Sequence, residues 1–154
     1  MALRFKYRQL ERPEPLGPTS VPVIPLTYVG RNGESFESPA LLDSGADYSV
    51  IFREHAEILG IDLAKCKQSE CQGIGGKVTS WIAKVPLRLR GKGEHRTFDF
   101  EIPVMILERQ KSNFPLLLGR AGFFEKFEIT FNEGEQWISL KPLATKAENF
   151  EGYK

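Results

Sequence analysis

The stretch "ALLDSGADYSVI", residues 40–51, carries the side chain of this protein best suited to do chemistry. An apolar run breaks off at Asp43, Ser44 and Gly45 and resumes after Asp47. Aspartate is disfavoured in strands, and a carboxylate next to buried residues is costly unless something keeps it there. Asp43 therefore either starts a turn or offers its carboxylate as an acid or base.

Two further stretches carry residue types of interest. "CQGIGGKVTSW", residues 71–81, is rich in glycine. It fails as a dinucleotide fingerprint, because Gly73, Gly75 and Gly76 do not give the G-x-G-x-x-G spacing. It fails as a P-loop too: Val78 follows Gly76-Lys77 where a hydroxyl is required, and Cys71 stands where the first glycine belongs. Alone, it reads as a hairpin turn, since glycine reaches positive φ at little cost. "LLLGRAGFF", residues 116–124, reads alone as a buried strand entering a helix, with Gly119 at a crowded junction. The two cysteines, Cys66 and Cys71, and the two histidines, His55 and His95, have no metal-site spacing, so no metal is expected.

The elements that hold these stretches read mainly as short strands. "LRFKYRQL" alternates apolar and polar, as a short strand does. From Arg12 to Pro25 the chain carries five prolines, which predicts an extended arm or edge rather than central sheet. Ile24–Val29 is strand-like, "GRNGE" supplies a turn, and "SFESPALL" leads into Asp43. "REHAEILGI" has helical spacing with a glycine stop at Gly60. "VTSWIAKVPLRLRGKGEHRTFDFEIPVMI" predicts a hairpin turning at "GKGE", and "EITFNEGEQWISLKPL" another turning at "NEGE". "RAGFFEKFE" is a second short-helix candidate, and the polar tail from Ala144 is expected to be loose. Many short strands with one or two short helices make the class mostly β, spaced as in a small barrel or folded-over sheet.

Size and charge exclude several function classes. The chain has 154 residues, 41% apolar and 27% charged, enough for one domain with its own core. A net charge of +1 gives no global field toward nucleic acid or an acidic membrane, so neither is expected as a partner. No stretch is apolar enough to span a bilayer, and "MALRFKYRQLERPEP" lacks the apolar core of a signal peptide, so a cytoplasmic location with reduced thiols is expected.

In order, the three stretches resemble a specific family. An apolar pair before Asp-Ser-Gly-Ala-Asp, then a Gly-Ile-Gly-Gly tip, then apolar-apolar-Gly-Arg resembles the retroviral-type aspartic proteases, the retropepsins. The resemblance runs from about Ile24 to Ile138. It implies a mostly β, retropepsin-like acid protease half-barrel with one or two short helices and a flap hairpin. The organisation expected is an N-terminal Pro-rich arm over 1–23, the protease domain over 24–143 and a flexible tail over 144–154. The arm and tail have no recognisable counterpart in the family.

Peptide hydrolysis by this route needs two carboxylates across one water, sharing a proton because like charges that close cannot both ionise. The chain holds one Asp-Ser-Gly, and "LLLGR" adds no carboxylate, so a twofold homodimer is implied, with an extended peptide or protein as substrate and no cofactor. The resemblance makes Asp43 the catalytic carboxylate, with Ser44 bonding across the dimer axis and Gly45 permitting the tight turn. Ala46 and Asp47 bind substrate backbone, and Asp47 also pairs with Arg120, which follows Gly119. Gln72 to Lys77 form the flap tip, in which Gly73, Ile74, Gly75 and Gly76 reach the substrate; Val50, Ile74 and Leu117 supply apolar pockets. The chain departs from the family in having serine at 44, where many members have threonine, and in flanking the tip with polar Gln72 and Lys77. Two other readings remain: a dimeric peptide-binding or assembly module of the same fold with little catalysis, and a structural β-domain in which Asp43 only caps a turn.

Overall fold

The computed structural model describes residues 2–73, 76–91, 96–108 and 115–143. Strands dominate. In chain order they are β1 (Leu3–Lys6), β2 (Arg8–Leu10), β3 (Thr19–Val21), β4 (Val23–Val29), β5 (Ser35–Leu42), β6 (Ser49–Phe52), β7 (Lys67–Gly73), β8 (Gly76–Arg90), β9 (Thr97–Leu107), β10 (Leu116–Leu118), β11 (Phe127–Asn132) and β12 (Trp137–Pro142). Among the described residues there is one α-helix, α1 (Arg53–Ile58), which follows β6 directly. No helix among the described residues is long and apolar enough to cross a membrane.

The main sheet has the order β4-β5-β10-β6-β9-β8-β7, and β4 also pairs with β8 through Thr27–Arg88 and Tyr28–Leu87. That extra pairing curls the sheet back on itself, leaving β7 outside the ring. Alternation fixes which side faces in. In β9, Phe98, Phe100, Ile102, Val104 and Ile106 are buried, while Asp99, Glu101, Pro103 and Met105 are not. In β8, Val85, Leu87 and Leu89 do the same, and Arg88 reaches across the outer face to Asp99 with two hydrogen bonds of 2.7 and 2.8 Å. Each such buried side chain stabilises the fold by about 1.5–3 kcal/mol.

A second sheet, β1-β12-β11, closes one end of the core. Leu3 and Phe5 from β1, Phe127 from β11, and Ile138 and Leu140 from β12 all join the main cluster. Phe98, Phe100, Phe123 and Phe127 form the aromatic joint between the two sheets, with ring centroids 5.0–6.2 Å apart. The strand at "LRFKYRQL" is thus tied down within the chain, its first half to β12 and its second half, as β2, to β3.

One expectation is met in part and one differs from what is observed. The proline-rich segment runs into β4, but Pro25 lies in the half of that strand with β5 alone as neighbour among the described residues, since β8 pairs only with Thr27 and Tyr28. Pro25 faces Pro39 across the β4–β5 ladder, so two residues without N–H groups share one rung. The helix expected at "RAGFFEKFE" is a turn followed by a single 3-10 turn, Phe124–Lys126. Gly122 there has φ +76°, which breaks any helix, and the amides of Arg120 and Ala121 bond to the carbonyls of Ala46 and Asp47 instead. Fully buried Phe123 then anchors the segment under β9.

α1 agrees with its sequence signals. The Phe52 N–H donates to Nδ1 of His55, satisfying an amide at the helix entrance. At its end Gly60 adopts φ +69°, and the amides of Gly60 and Ile61 return to the carbonyls of Glu57 and Ala56.

Candidate active site

The site is built where three short runs meet. β10 lies between β5 and β6, parallel to the first and antiparallel to the second. All three chain segments that follow or precede these strands leave the sheet at the same end: Asp43 after β5, Arg120 after β10, Tyr48 before β6. Buried Leu42, Leu118 and Ile51 anchor the three strands just behind the loop.

Asp43 prolongs the parallel ladder by one step, its N–H donating to the carbonyl of Leu118 at 3.0 Å. The chain then turns: the Ala46 N–H bonds back to the Asp43 carbonyl at 3.2 Å. The Asp43 carboxylate accepts the Gly45 N–H at 2.9 Å through Oδ1. Asp43 is only partly exposed, whereas Ser44 and Gly45 are exposed. A Cβ on Gly45 would sit 3.2 Å from that same Oδ1, so glycine leaves the carboxylate its bonding position.

Gly119 is the tightest point. A Cβ there would lie 2.5 Å from the backbone carbon and oxygen of Tyr48 and 3.0 Å from the Ala46 carbonyl oxygen. The Gly119 N–H donates to the buried hydroxyl of Ser49 at 2.9 Å. The next two amides, Arg120 and Ala121, donate to the carbonyls of Ala46 and Asp47 at 2.9 and 2.8 Å. The Arg120 guanidinium then bonds to the Asp47 carboxylate over the top of these backbone bonds. Both side chains are more than half exposed, so water screens the pair.

Val50 and Leu117 are neither core nor fully exposed. They face each other across β6 and β10, in one row with Leu41, Met105 and Ile82. All five are half-buried and lie on the face of the sheet opposite Leu118 and Ile51. This apolar row runs back from the Asp43 loop.

The glycine stretch forms the end of a long hairpin, β7 paired with β8 down to Gly73 opposite Gly76. Gly76 has φ +111°. Ile74 and Gly75 lie outside the described residues. Lys77 reaches Glu70 across the hairpin at 3.6 Å.

The structure therefore brings Asp43, Ser44, Gly45, Ala46, Asp47, Gly119 and Arg120 into one knot, with Val50 and Leu117 behind it. Sequence reasoning missed Ser49, whose hydroxyl holds the Gly119 amide. A hydroxyl at the first position of a strand of alternating burial is the available signal. It also missed Leu41, Met105 and Ile82, which only strand register places in the apolar row.

A family model described as aspartyl protease matches residues 26–121, from β4 through the Asp43 loop to Ala121. The chain belongs to the aspartyl protease family. Among curated proteins, none matches it. The solved structure of a retropepsin-like aspartic protease from Rickettsia conorii is similar over 91% of this chain and 98% of that one, with 16% identity and a TM-score of 0.56. That likeness shows the fold of this aspartyl protease family member to be retropepsin-like. The retroviral protease-like domain of Ddi1 from Leishmania major aligns over 80% of this chain and 95% of that one, with 16% identity and a TM-score of 0.48. EIAV protease complexed with the inhibitor HBY-793 aligns over 65% of this chain and 82% of that one, with 22% identity and a TM-score of 0.40.

Proposed function

We propose that the protein is a homodimeric aspartic endopeptidase in which Asp43 of each subunit activates one shared water. The observation that carries this reading is the Asp43 loop: one carboxylate, oriented by the Gly45 amide, at the open end of β5 and β10, in a chain with a single Asp-Ser-Gly. One such loop is half of a dyad. Ser44 supports the pairing, since its exposed hydroxyl has no hydrogen-bond partner among the described residues and is free to bond across a twofold axis.

In the dimer the two carboxylates hold one proton between them, because ionising both at that separation is prohibitive. The ionised member takes a proton from the water as its oxygen attacks the peptide carbonyl carbon. The protonated member donates to the carbonyl oxygen, giving a neutral tetrahedral intermediate. The C–N bond then breaks as the nitrogen is protonated, and the dyad regains its single proton. Positioned proton transfer of this kind contributes about 10²–10⁴-fold in rate.

The substrate binds as an extended strand. Ala46 and Asp47 meet its backbone from below, and the β7–β8 hairpin acts as a flap, covering it through Gly73, Ile74, Gly75 and Gly76. The half-buried row around Val50 and Leu117 receives apolar side chains. The Arg120–Asp47 pair and Gly119 hold the loop in place.

Incubation with a mixed peptide library from acid to neutral pH tests this, beside Asp43→Asn and a pepstatin-type inhibitor. Cleavage that is lost in the variant and blocked by the inhibitor is expected. Equal cleavage by wild type and variant would refute the reading. Peptide binding without cleavage at any pH would favour a dimeric peptide-binding module instead.

A further inference from the structure

A second, unrelated surface lies at the N-terminal strand. Arg4, Lys6, Arg8 and Arg90 line a groove of about 580 Å³, with Val23 and Pro25 among the remaining lining residues and no acidic residue among the described ones. The four cationic side chains belong to exposed residues. This concentration is local, because the chain as a whole carries only +1.

These cations differ from the ion-paired arginines elsewhere in the molecule. Arg31, Arg53, Arg88 and Arg120 are each paired with a carboxylate. Among the described residues, none of the four groove cations forms an ion pair. Arg4 lies 4.7 Å over the ring of Trp137, a contact that fixes its guanidinium without neutralising it. Arg96, next to the groove through the bond from the Gly91 amide to its carbonyl, adds another charge with no ion pair among the described residues. Glu133, beside Tyr7, accepts a hydrogen bond from the Tyr7 hydroxyl at 3.0 Å.

The backbone says what shape of anion fits. β1 is an edge strand of its sheet, so one side of it has no strand partner among the described residues. Its burial alternates, with Leu3 and Phe5 inward and Arg4 and Lys6 outward. Arg8 continues the same parity. Alternate residues of a strand repeat at roughly 6.8 Å. Across the groove, β4 is paired with β8 only at Thr27 and Tyr28, so its first half leaves that neighbour and opens the gap.

We propose that this groove docks an extended acidic polypeptide segment, with carboxylates at alternate positions facing Arg4, Lys6 and Arg8 and its main chain along the open edge of β1. Strand addition gives such a segment backbone hydrogen bonds, and the cations select its charge. A single-stranded nucleic acid matches the charge but wants exposed rings to stack on. Here Phe5 is buried, Tyr7 is half-buried and the Trp137 face is taken by Arg4. The proposal is independent of catalysis and does not involve Asp43.

The test is fluorescence anisotropy in an Asp43→Asn background, so that cleavage does not consume the probe. Probes are an alternating Glu-Thr peptide, its Lys-Thr counterpart and a single-stranded oligonucleotide, each at low and physiological salt. The Glu-Thr peptide is expected to bind best, and Lys6→Glu/Arg90→Glu to weaken it about tenfold or more. Lys65→Glu, a reversal far from β1 in sequence and outside the groove lining, should change it by about twofold or less. Circular dichroism checks the fold; should the double reversal unfold the chain, Lys6→Gln/Arg90→Gln should still weaken binding roughly threefold. No preference for the acidic peptide, equal losses from Lys65→Glu and the groove variant, or tighter binding of the oligonucleotide would each overturn the proposal.

Discussion

Gly119, at the end of β10, has no room around it: a Cβ would meet the Tyr48 backbone at 2.5 Å. Gly76, at the start of β8, would meet nothing within 4 Å, yet its φ of +111° lies where side chains are rarely tolerated. The same residue type is needed for space in one place and for backbone conformation in the other. The Asp43 loop is set by backbone packing and by five amide bonds from Asp43, Ala46, Gly119, Arg120 and Ala121. The glycine hairpin is set by pairing of β7 on one side only. In our account the first must hold a carboxylate to a fraction of an ångström and the second must admit and cover a substrate, and the two kinds of support match those tasks.

Substitutions separate the two. Gly119→Ala forces backbone against backbone, so we expect a loss of about 3 kcal/mol or more, read by denaturant unfolding, with activity lost alongside. Gly76→Ala strains one residue in open space. It should cost about 1–2 kcal/mol at most and act mainly on KM, since the hairpin and not the dyad is altered. A large unfolding effect from Gly76→Ala, or none from Gly119→Ala, would erase the contrast. Arg120→Lys keeps the charge but loses the planar donor fork; with both partners exposed, stability should fall by less than about 1 kcal/mol. Its larger effect is expected in kcat, through looser placement of the Asp43 loop.

The smallest effect concerns pH. Burial lowers the proton affinity of His55, with Glu54 opposing it. Its neutral Nδ1 accepts the Phe52 amide, a bond the imidazolium cannot make. The folded pKa lies below the unfolded one, so this stabilisation is complete above about pH 6.5 and declines as pH falls through the folded value. The melting temperature should drop between pH 7.5 and 5.5, and His55→Gln should make that slope shallower. An unchanged slope would remove His55 from the account.

Much of this was legible in the residues, and the remainder was not for definite reasons. Asp43-Ser44-Gly45 and the β5, β6 and α1 segments are local signals: an apolar run broken by turn residues, then helical spacing with Gly60 as a stop. The pairing of Asp47 with Arg120 spans 73 positions, and the family resemblance rather than any local pattern pointed to it. The Ser49 hydroxyl accepts an amide N–H 70 residues away, which no window along the chain exposes. The helix expected after Arg120 failed because tertiary demands outweighed spacing. Gly122 at φ +76° and the burial of Phe123 turn the chain before a helical ladder can propagate. Pro25 stands on the half of β4 that has β5 alone as neighbour among the described residues, the edge position its missing N–H predicts, although the same strand gains β8 as a partner two residues later.

The central claim, two Asp43 side chains from two chains serving one water, is tested most directly by mixing. Wild type and Asp43→Asn are combined in equal amounts at constant total protein, allowed to exchange subunits, and assayed on a cleaved peptide. A dyad built across two chains predicts that activity falls to about one quarter, because mixed dimers carry one carboxylate. A fall to about one half would mean that each chain hydrolyses alone, and the account would be wrong.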